Sequence, residues 1–181
     1  MNNLAMNDWP GANLHRQLLI ELLHCEAQGT ISVHFELFGI AVERIWDRRG
    51  RAEKSFWSKL SAETNAYCLR NHLEPLPKFP SWLYWKHALS GGDKLRFFVH
   101  CPAILVSLLL EPEELESQWK ALLLHSSIVQ RLCHRTVNRN DLPRLQEDIQ
   151  QFHRVFLTVY PRAATLNLHF ETHLTTLIER Y

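Results

Sequence analysis

The sequence has few of the residues that build turn-rich β proteins, with 6 glycines and 8 prolines among its 181 residues. A β-sandwich or barrel needs a turn signal roughly every 8 to 12 residues, so this shortage argues against an all-β fold. Charge of one sign is lacking as well, since the formal net charge is +1 at pH 7. The balance gives no overall attraction to nucleic acid or to an anionic membrane, so a contact with DNA requires a local patch or a neighbouring domain.

Paired cysteines are also missing. The four cysteines lie far apart and form no C-x-x-C motif; they are Cys25, Cys68, Cys101 and Cys133. This spacing favours reduced thiols in an intracellular protein, although two disulfides remain an alternative. The N-terminal stretch MNNLAMNDWPGAN lacks the basic start and the apolar stretch of a signal peptide. We therefore expect a reducing, intracellular location, in the nucleus or the cytoplasm.

Long hydrophobic runs are absent, and the run AILVSLLL at 103–110 is too short to cross a bilayer. No membrane partner is expected. Hydrophobic residues make up 46% of the chain and charged residues 22%, as in an ordinary globular domain. A chain of this length can bury a core without a disulfide or a metal. We predict one compact domain with an N-terminal helical segment, 1–74, and a C-terminal helical region, 75–181, which meet at the proline-rich stretch LEPLPKFP.

Apolar residues at helical spacing predict an all-α fold, an irregular bundle of about six to seven helices. The first helix follows Asn13 and is predicted to end at Gly29. The segment TISVHFELF alternates briefly like a strand, but its continuation to Trp46 favours a helix. Another helix is predicted over 52–72, before the three prolines.

In the second half, Gly91-Gly92 breaks the chain and Asp93 is expected to cap a new helix. Pro102 lies within the apolar run that follows, so it should kink the helix or restart it there. EPEEL at 111–115 predicts the start of another long helix. The next helix shows the strongest apolar stripe, and the last carries an aromatic and aliphatic face from about residue 170. The stripe consists of Leu142, Leu145, Ile149, Phe152, Phe156 and Val159.

The segment ERIWDRRGRAEKSFWSK at 43–59 is the best candidate for a nucleic-acid surface. Its cations are interleaved with aromatic residues, a combination that can bind phosphates and stack on bases. The alternative is a solvated pair of helices in which the three acids offset half of the positive charge. The candidate contact residues are Arg44, Arg48, Arg49, Arg51, Lys54 and Lys59.

His169 and His173 are four residues apart and would share one face of a helix, which is a spacing that zinc can use. A zinc hydrolase of that type places its glutamate directly after the first histidine. Here Phe170 occupies that position, Glu171 is expected to point away from the pair, and no third ligand is marked by its spacing. The two histidines are therefore only weak metal candidates, and we expect no metal, no cofactor and no catalytic residue. No G-x-S-x-G elbow or cysteine motif supports nucleophilic catalysis.

Several motifs follow one another in the second half of the chain. A proline-rich approach, PLPKFP, precedes Trp85-Lys86 and then KLRFFVHCPAIL, which contains Pro102. Two long helical segments come next, and the series ends with Asn167, His169, His173 and Leu174 in the pattern N-x-H-x-x-x-H-L. In this order, residues 75–181 resemble the C-terminal helical region of transposon-encoded DDE transposases, those of the CACTA type and their relatives.

The resemblance implies a helical region that belongs beside an RNase H-like nuclease sheet with three metal-binding acids. Residues 1–74 show no strands of such a sheet, and no acid follows Trp85-Lys86 until Asp93. Such transposases also commonly continue past the position of Tyr181. The resemblance therefore implies a truncated or derived piece without its own catalytic centre, with DNA or another protein as its partner. The alternative is a helical adaptor or scaffold that binds a protein through an apolar helix face.

Overall fold

The computed structural model describes residues 23–48, 55–108, 113–133, 138–163 and 171–180. A π-helix, Leu23–Thr30, opens the described chain, and two 3-10 turns precede the fifth and sixth α-helices, at Glu113–Leu115 and Arg139–Asp141. These ranges contain no strand, so the predicted all-α bundle of six to seven helices is confirmed. The seven α-helices are α1 Ile31–Arg48, α2 Phe56–Arg70, α3 Trp82–Ala88, α4 Gly91–Val106, α5 Glu116–Leu132, α6 Leu142–Val159 and α7 Leu174–Arg180.

The π-helix continues into α1 without a break, so the prediction that a helix ends at Gly29 is wrong. A glycine costs a helix only about 1 kcal/mol relative to alanine, which tertiary packing readily offsets. Gly29 is itself buried. The segment 30–38, which alternates like a strand, is helical, as predicted. The apolar face of α1 is buried at Ile31, Phe35, Phe38 and Val42.

Helix α4 begins at Gly91, and its N-cap is Ser90 rather than the predicted Asp93. The two residues form a capping box: the Ser90 hydroxyl accepts from the Asp93 backbone N–H at 3.1 Å, and the Asp93 carboxylate accepts from the Ser90 N–H at 3.3 Å. The helix then runs through Pro102 to Val106, so the helix is not restarted at the proline.

Two groups of buried apolar side chains form the core. The larger one draws on residues before and after residue 74, from Ala27 in the π-helix to Val129 in α5. The smaller one joins the end of α5 to α6 and α7 through Ile128, Leu145, Ile149, Phe152, Phe156 and Leu174. The most extensive contact between helices is that of α5 with α6. Within the described residues, none of the helices is both long and apolar enough to cross a membrane.

Candidate metal centre in the helical core

Five titratable side chains meet where the two core groups adjoin. Glu26 comes from the π-helix, His34 from α1, His125 from α5, His153 from α6 and Glu171 from the residues before α7. The side chains of His125, Glu26 and Glu171 are at most 1% exposed, and that of His153 is 14% exposed. His34 is also fully buried. Titratable side chains are rarely buried without partners, so hydrogen bonds within this group must replace the water that the side chains lose on burial.

Hydrogen bonds connect the group in two branches. His34 Nδ1 lies 2.9 Å from His125 Nδ1, and His125 Nε2 lies 3.1 Å from Glu26 Oε2. On the other branch, His153 Nε2 is 2.6 Å from Glu171 Oε2. The branches approach each other where His125 Nε2 comes within 3.8 Å of Glu171 Oε1. Nε2 of His125 therefore faces both carboxyl groups.

Aromatic packing fixes the plane of the His125 ring. Phe152 stacks on it with ring centroids 4.2 Å apart, and Phe98 meets it edge-on at 4.7 Å. The His34 ring lies at an interplanar angle of only 10° to that of His125, with centroids 5.2 Å apart. Because the two Nδ1 atoms are at hydrogen-bond distance, the two imidazoles lie side by side in nearly one plane. The packing around the two rings therefore fixes the direction in which Nε2 of His125 points.

Burial shifts the protonation of every member of the group. It raises the pKa of Glu26 to about 7. Burial and the charge of Glu26 raise the pKa of Glu171 well above the ordinary carboxyl value. Burial lowers the pKa of His125 to about 3 and that of His34 well below its ordinary value. The imidazoles are therefore neutral near pH 7, and an imidazole must be neutral to ligate a metal.

Glu26, His125 and Glu171 each offer one donor atom, and these donor atoms lie within 4.8 Å of one another. Among the described residues, no N–H or hydroxyl group donates to the buried Glu26 Oε1 or Glu171 Oε1. The two carboxyl groups are close enough to hydrogen-bond each other when one of them is protonated. A buried polar atom without a partner costs about 1–3 kcal/mol, more if charged. Two carboxyl oxygens that lack such a donor, beside an imidazole nitrogen, form a set of atoms that a divalent cation can bind.

His173, the member of the predicted histidine pair that the structure describes, is not part of this centre. His173 is exposed, whereas Glu171, two residues before it, is buried; this agrees with the expectation that the two side chains point in different directions. His169 and Asn167 lie outside the described residues. Among the described residues of this motif, Leu174 and the glutamate between the two histidines, Glu171, are the ones that reach the core.

The other motif residues of the transposase resemblance serve mainly in packing. Trp85 is completely buried, with its ring centroid 4.9 Å from that of Phe35, and Leu174 is 2% exposed. Lys86 is exposed, and its ammonium lies 3.9 Å from the Glu36 carboxylate. Pro102 is half-buried inside α4.

The candidate nucleic-acid residues are partly engaged in contacts within the protein. The exposed Arg48 pairs with Glu114 at 3.1 Å. Lys59 is half-buried and lies over the Trp46 ring at 4.9 Å. Arg44 is exposed. The remaining cations of the set lie outside the described residues; they are Arg49, Arg51 and Lys54.

The five residues of the centre were not predicted from the sequence as a group. A usable signal existed, because His125 lies on the same helical stripe as Leu122 and Val129, all three buried. A titratable residue in an apolar stripe marks a buried polar partner. Its partner Glu26 is 99 residues away, and no spacing rule connects the two.

In comparisons with known proteins, no protein-family model, curated protein or solved structure matches the chain.

Proposed function

We propose that this chain is a metal-binding helical protein in which Glu26, His125 and Glu171 ligate one divalent transition-metal ion. The observation that carries the proposal is the convergence of three buried donor groups from three separate segments, with donor atoms within 4.8 Å. No N–H or hydroxyl group among the described residues donates to two of the carboxyl oxygens there. A divalent cation would satisfy both oxygens and balance both carboxylate charges.

The donor set favours a particular class of ion. One imidazole nitrogen with two carboxylates suits Zn²⁺, Mn²⁺ or Fe²⁺ better than Ca²⁺, which takes oxygen ligands alone. The ligand side chains are at most 1% exposed, so the helices would enclose the ion. Three protein ligands leave one position of a four-coordinate site to another donor. Such an ion would join the π-helix, α5 and the start of α7. The free energy of its binding would add to the stability of the fold.

The competing interpretation is a metal-free hydrogen-bond network that fastens the same segments. In that case protons on the glutamates would satisfy the neighbouring acceptors, which agrees with the raised pKa values of Glu26 and Glu171. The two interpretations differ in one measurable respect. Only the metal site predicts that a cation stabilises the protein and that neutral isosteres of the glutamates abolish this effect.

We expect the chelator-treated wild-type chain to take up one Zn²⁺ per molecule, measured by calorimetry and by elemental analysis after gel filtration. At a free concentration of about 100 times Kd, the ion should raise the free energy of unfolding by about 2.7 kcal/mol. Glu26→Gln and Glu171→Gln should each remain folded but lose this stabilisation. The matched control is Glu147→Gln, which changes an exposed carboxylate on α6 and should bind as wild type does. Wild-type protein that binds no Zn²⁺ or Mn²⁺, or glutamine variants that bind normally, would contradict the proposal.

We also propose, from the sequence resemblance, that the chain is transposon-derived, non-catalytic on its own, and able to contact DNA or a protein partner. The support for this is the order of motifs from residue 75 onward. On the DNA side, Lys59 of α2 lies against Trp46 of α1, the helix that also carries Arg44 and Arg48. On the side of a protein partner, Leu83 and Tyr84 of α3 are 65% and 56% exposed.

Measuring the binding of the chain to generic duplex DNA at two salt concentrations distinguishes a DNA partner from a protein partner. If DNA is bound, raising the salt from about 50 to about 200 mM should weaken binding steeply, because each neutralised phosphate releases counterions. Arg44→Ala should then weaken binding at low salt. Lys78→Ala, which removes an exposed charge from the extended segment, is the matched control. Failure to bind at low salt would exclude the DNA partner and leave the adaptor.

A further inference from the structure

His34 adds a second layer to the proposed metal site. It is fully buried, and its ring is surrounded by aromatic side chains with centroids between 5.0 and 6.2 Å away, those of Phe98, Phe152, Phe156 and Tyr160. Among the described residues, the hydrogen bond that it makes runs from ring to ring, between its Nδ1 and Nδ1 of His125. Burying a polar side chain in such apolar surroundings is costly, and this one hydrogen bond offsets only part of the cost.

The bond between the two rings obeys a strict proton count. A neutral imidazole carries one N–H and one lone pair, and which nitrogen has the proton is set by its partners. Two Nδ1 atoms at 2.9 Å need one proton between them, so one ring must donate and the other must accept. The tautomer of His34 therefore determines the tautomer of His125, and with it the state of the Nε2 atom that faces Glu26 and Glu171.

We infer that His34 is a positioning residue: its Nδ1 accepts a hydrogen bond from the Nδ1–H of His125, which leaves the Nε2 lone pair of His125 free to bind the metal. The inference rests on the proposed function, because a metal on Nε2 requires the lone pair there and the proton on Nδ1. His34 must then carry its own proton on Nε2, an atom that is buried among the aromatic side chains and has no hydrogen-bond partner among the described residues. Partners of this kind orient metal-bound histidines in many proteins, and their loss weakens metal binding by about 10- to 100-fold.

The geometry suits this role better than general packing does. The near-coplanar arrangement, 10° between ring planes, directs the lone pair of one Nδ1 along the N–H bond of the other. His153 holds the other side of the site in a similar way, since its Nε2 lies 2.6 Å from Glu171 Oε2. That contact leaves Oε1 of Glu171 directed towards His125 Nε2.

The test compares two variants of similar size. His34→Leu removes the acceptor and should weaken Zn²⁺ binding about 10- to 100-fold, measured by competition with a chromophoric chelator. His34→Asn should restore most of the affinity, since its side-chain oxygen can take the place of Nδ1 as an acceptor. The thermal transition of each metal-free variant shows whether it is folded. If His34→Leu does not fold, the comparison of His34→Asn with wild type still tests the inference. If the His34 ring served only in packing, an acceptor at residue 34 would not be expected to preserve the Zn²⁺ affinity.

The nitrogen-15 spectrum of the histidine rings provides a readout beyond affinity. In the Zn²⁺-loaded wild type, His125 should be protonated on Nδ1 and His34 on Nε2. The metal-free protein should show one proton shared between the two Nδ1 atoms, and His34→Leu should lack it. Loaded protein with His34 protonated on Nδ1, or tight binding by His34→Leu, overturns the inference alone. A wild-type chain that binds no Zn²⁺ overturns the proposed function and this inference with it.

Discussion

Phe152→Ala should lower the free energy of unfolding by about 3–5 kcal/mol. The Phe152 side chain is fully buried on α6, with its ring 4.2 Å from that of His125 and 5.4 Å from that of Phe156. Removing the ring takes away apolar contacts and leaves a cavity that the surrounding helices cannot easily close. Denaturant unfolding followed by circular dichroism gives the free energy.

The loss should extend to the proposed metal site, because the Phe152 ring supports one face of the His125 imidazole. Leu157→Ala serves as the control on the same helix, since Leu157 is 38% exposed. Its effect should lie within about 0.5 kcal/mol of zero. Equal losses for the two variants would show that Phe152 does not have the core position described above.

Gly39→Ala should destabilise the protein, although alanine is the better helix former by about 1 kcal/mol. A Cβ atom at residue 39 would lie 2.4 Å from Cζ2 and 2.7 Å from Cη2 of Trp57. The Trp57 ring cannot easily move, because Phe35, Phe56 and Trp82 pack around it with centroids 5.4 to 5.7 Å away. Overpacking of this kind costs about 1–3 kcal/mol, so the net change is expected to be unfavourable.

Gly92→Ala is the matched control for this substitution. Gly92 is exposed in the first turn of α4, and the nearest atom to an added Cβ would be Ser90 Oγ at 3.9 Å. We expect this variant to be more stable than wild type by about 0.4–1 kcal/mol. Thermal unfolding of both variants shows whether each is more or less stable than wild type. A stabilised Gly39→Ala would mean that α1 and α2 are packed more loosely than the structure shows.

Periodicity predicted the helices well where one stripe faces one core. The stripe on α6 is the clearest case. Its last predicted member, Val159, is half-buried, and the other five are buried, as their spacing predicts: Leu142, Leu145, Ile149, Phe152 and Phe156. Local chemistry was less reliable at single residues. Gly29 does not end a helix, because tertiary packing offsets the small cost of a glycine within a helix. At Pro102 the helix is not restarted, which leaves a kink as the remaining part of that prediction.

By itself, the sequence determined the all-α class, since the helical spacing of apolar residues can be recognised without knowing which residues they contact. Only the tertiary structure decided which polar residues meet. Glu26 and His125 are 99 residues apart and come together because the π-helix and α5 pack around the same core. Glu171 and His153 meet across the packing of α7 on α6, at 2.6 Å. Burial then shifts their pKa values, and burial depends on every helix at once, so no local pattern could have predicted this centre.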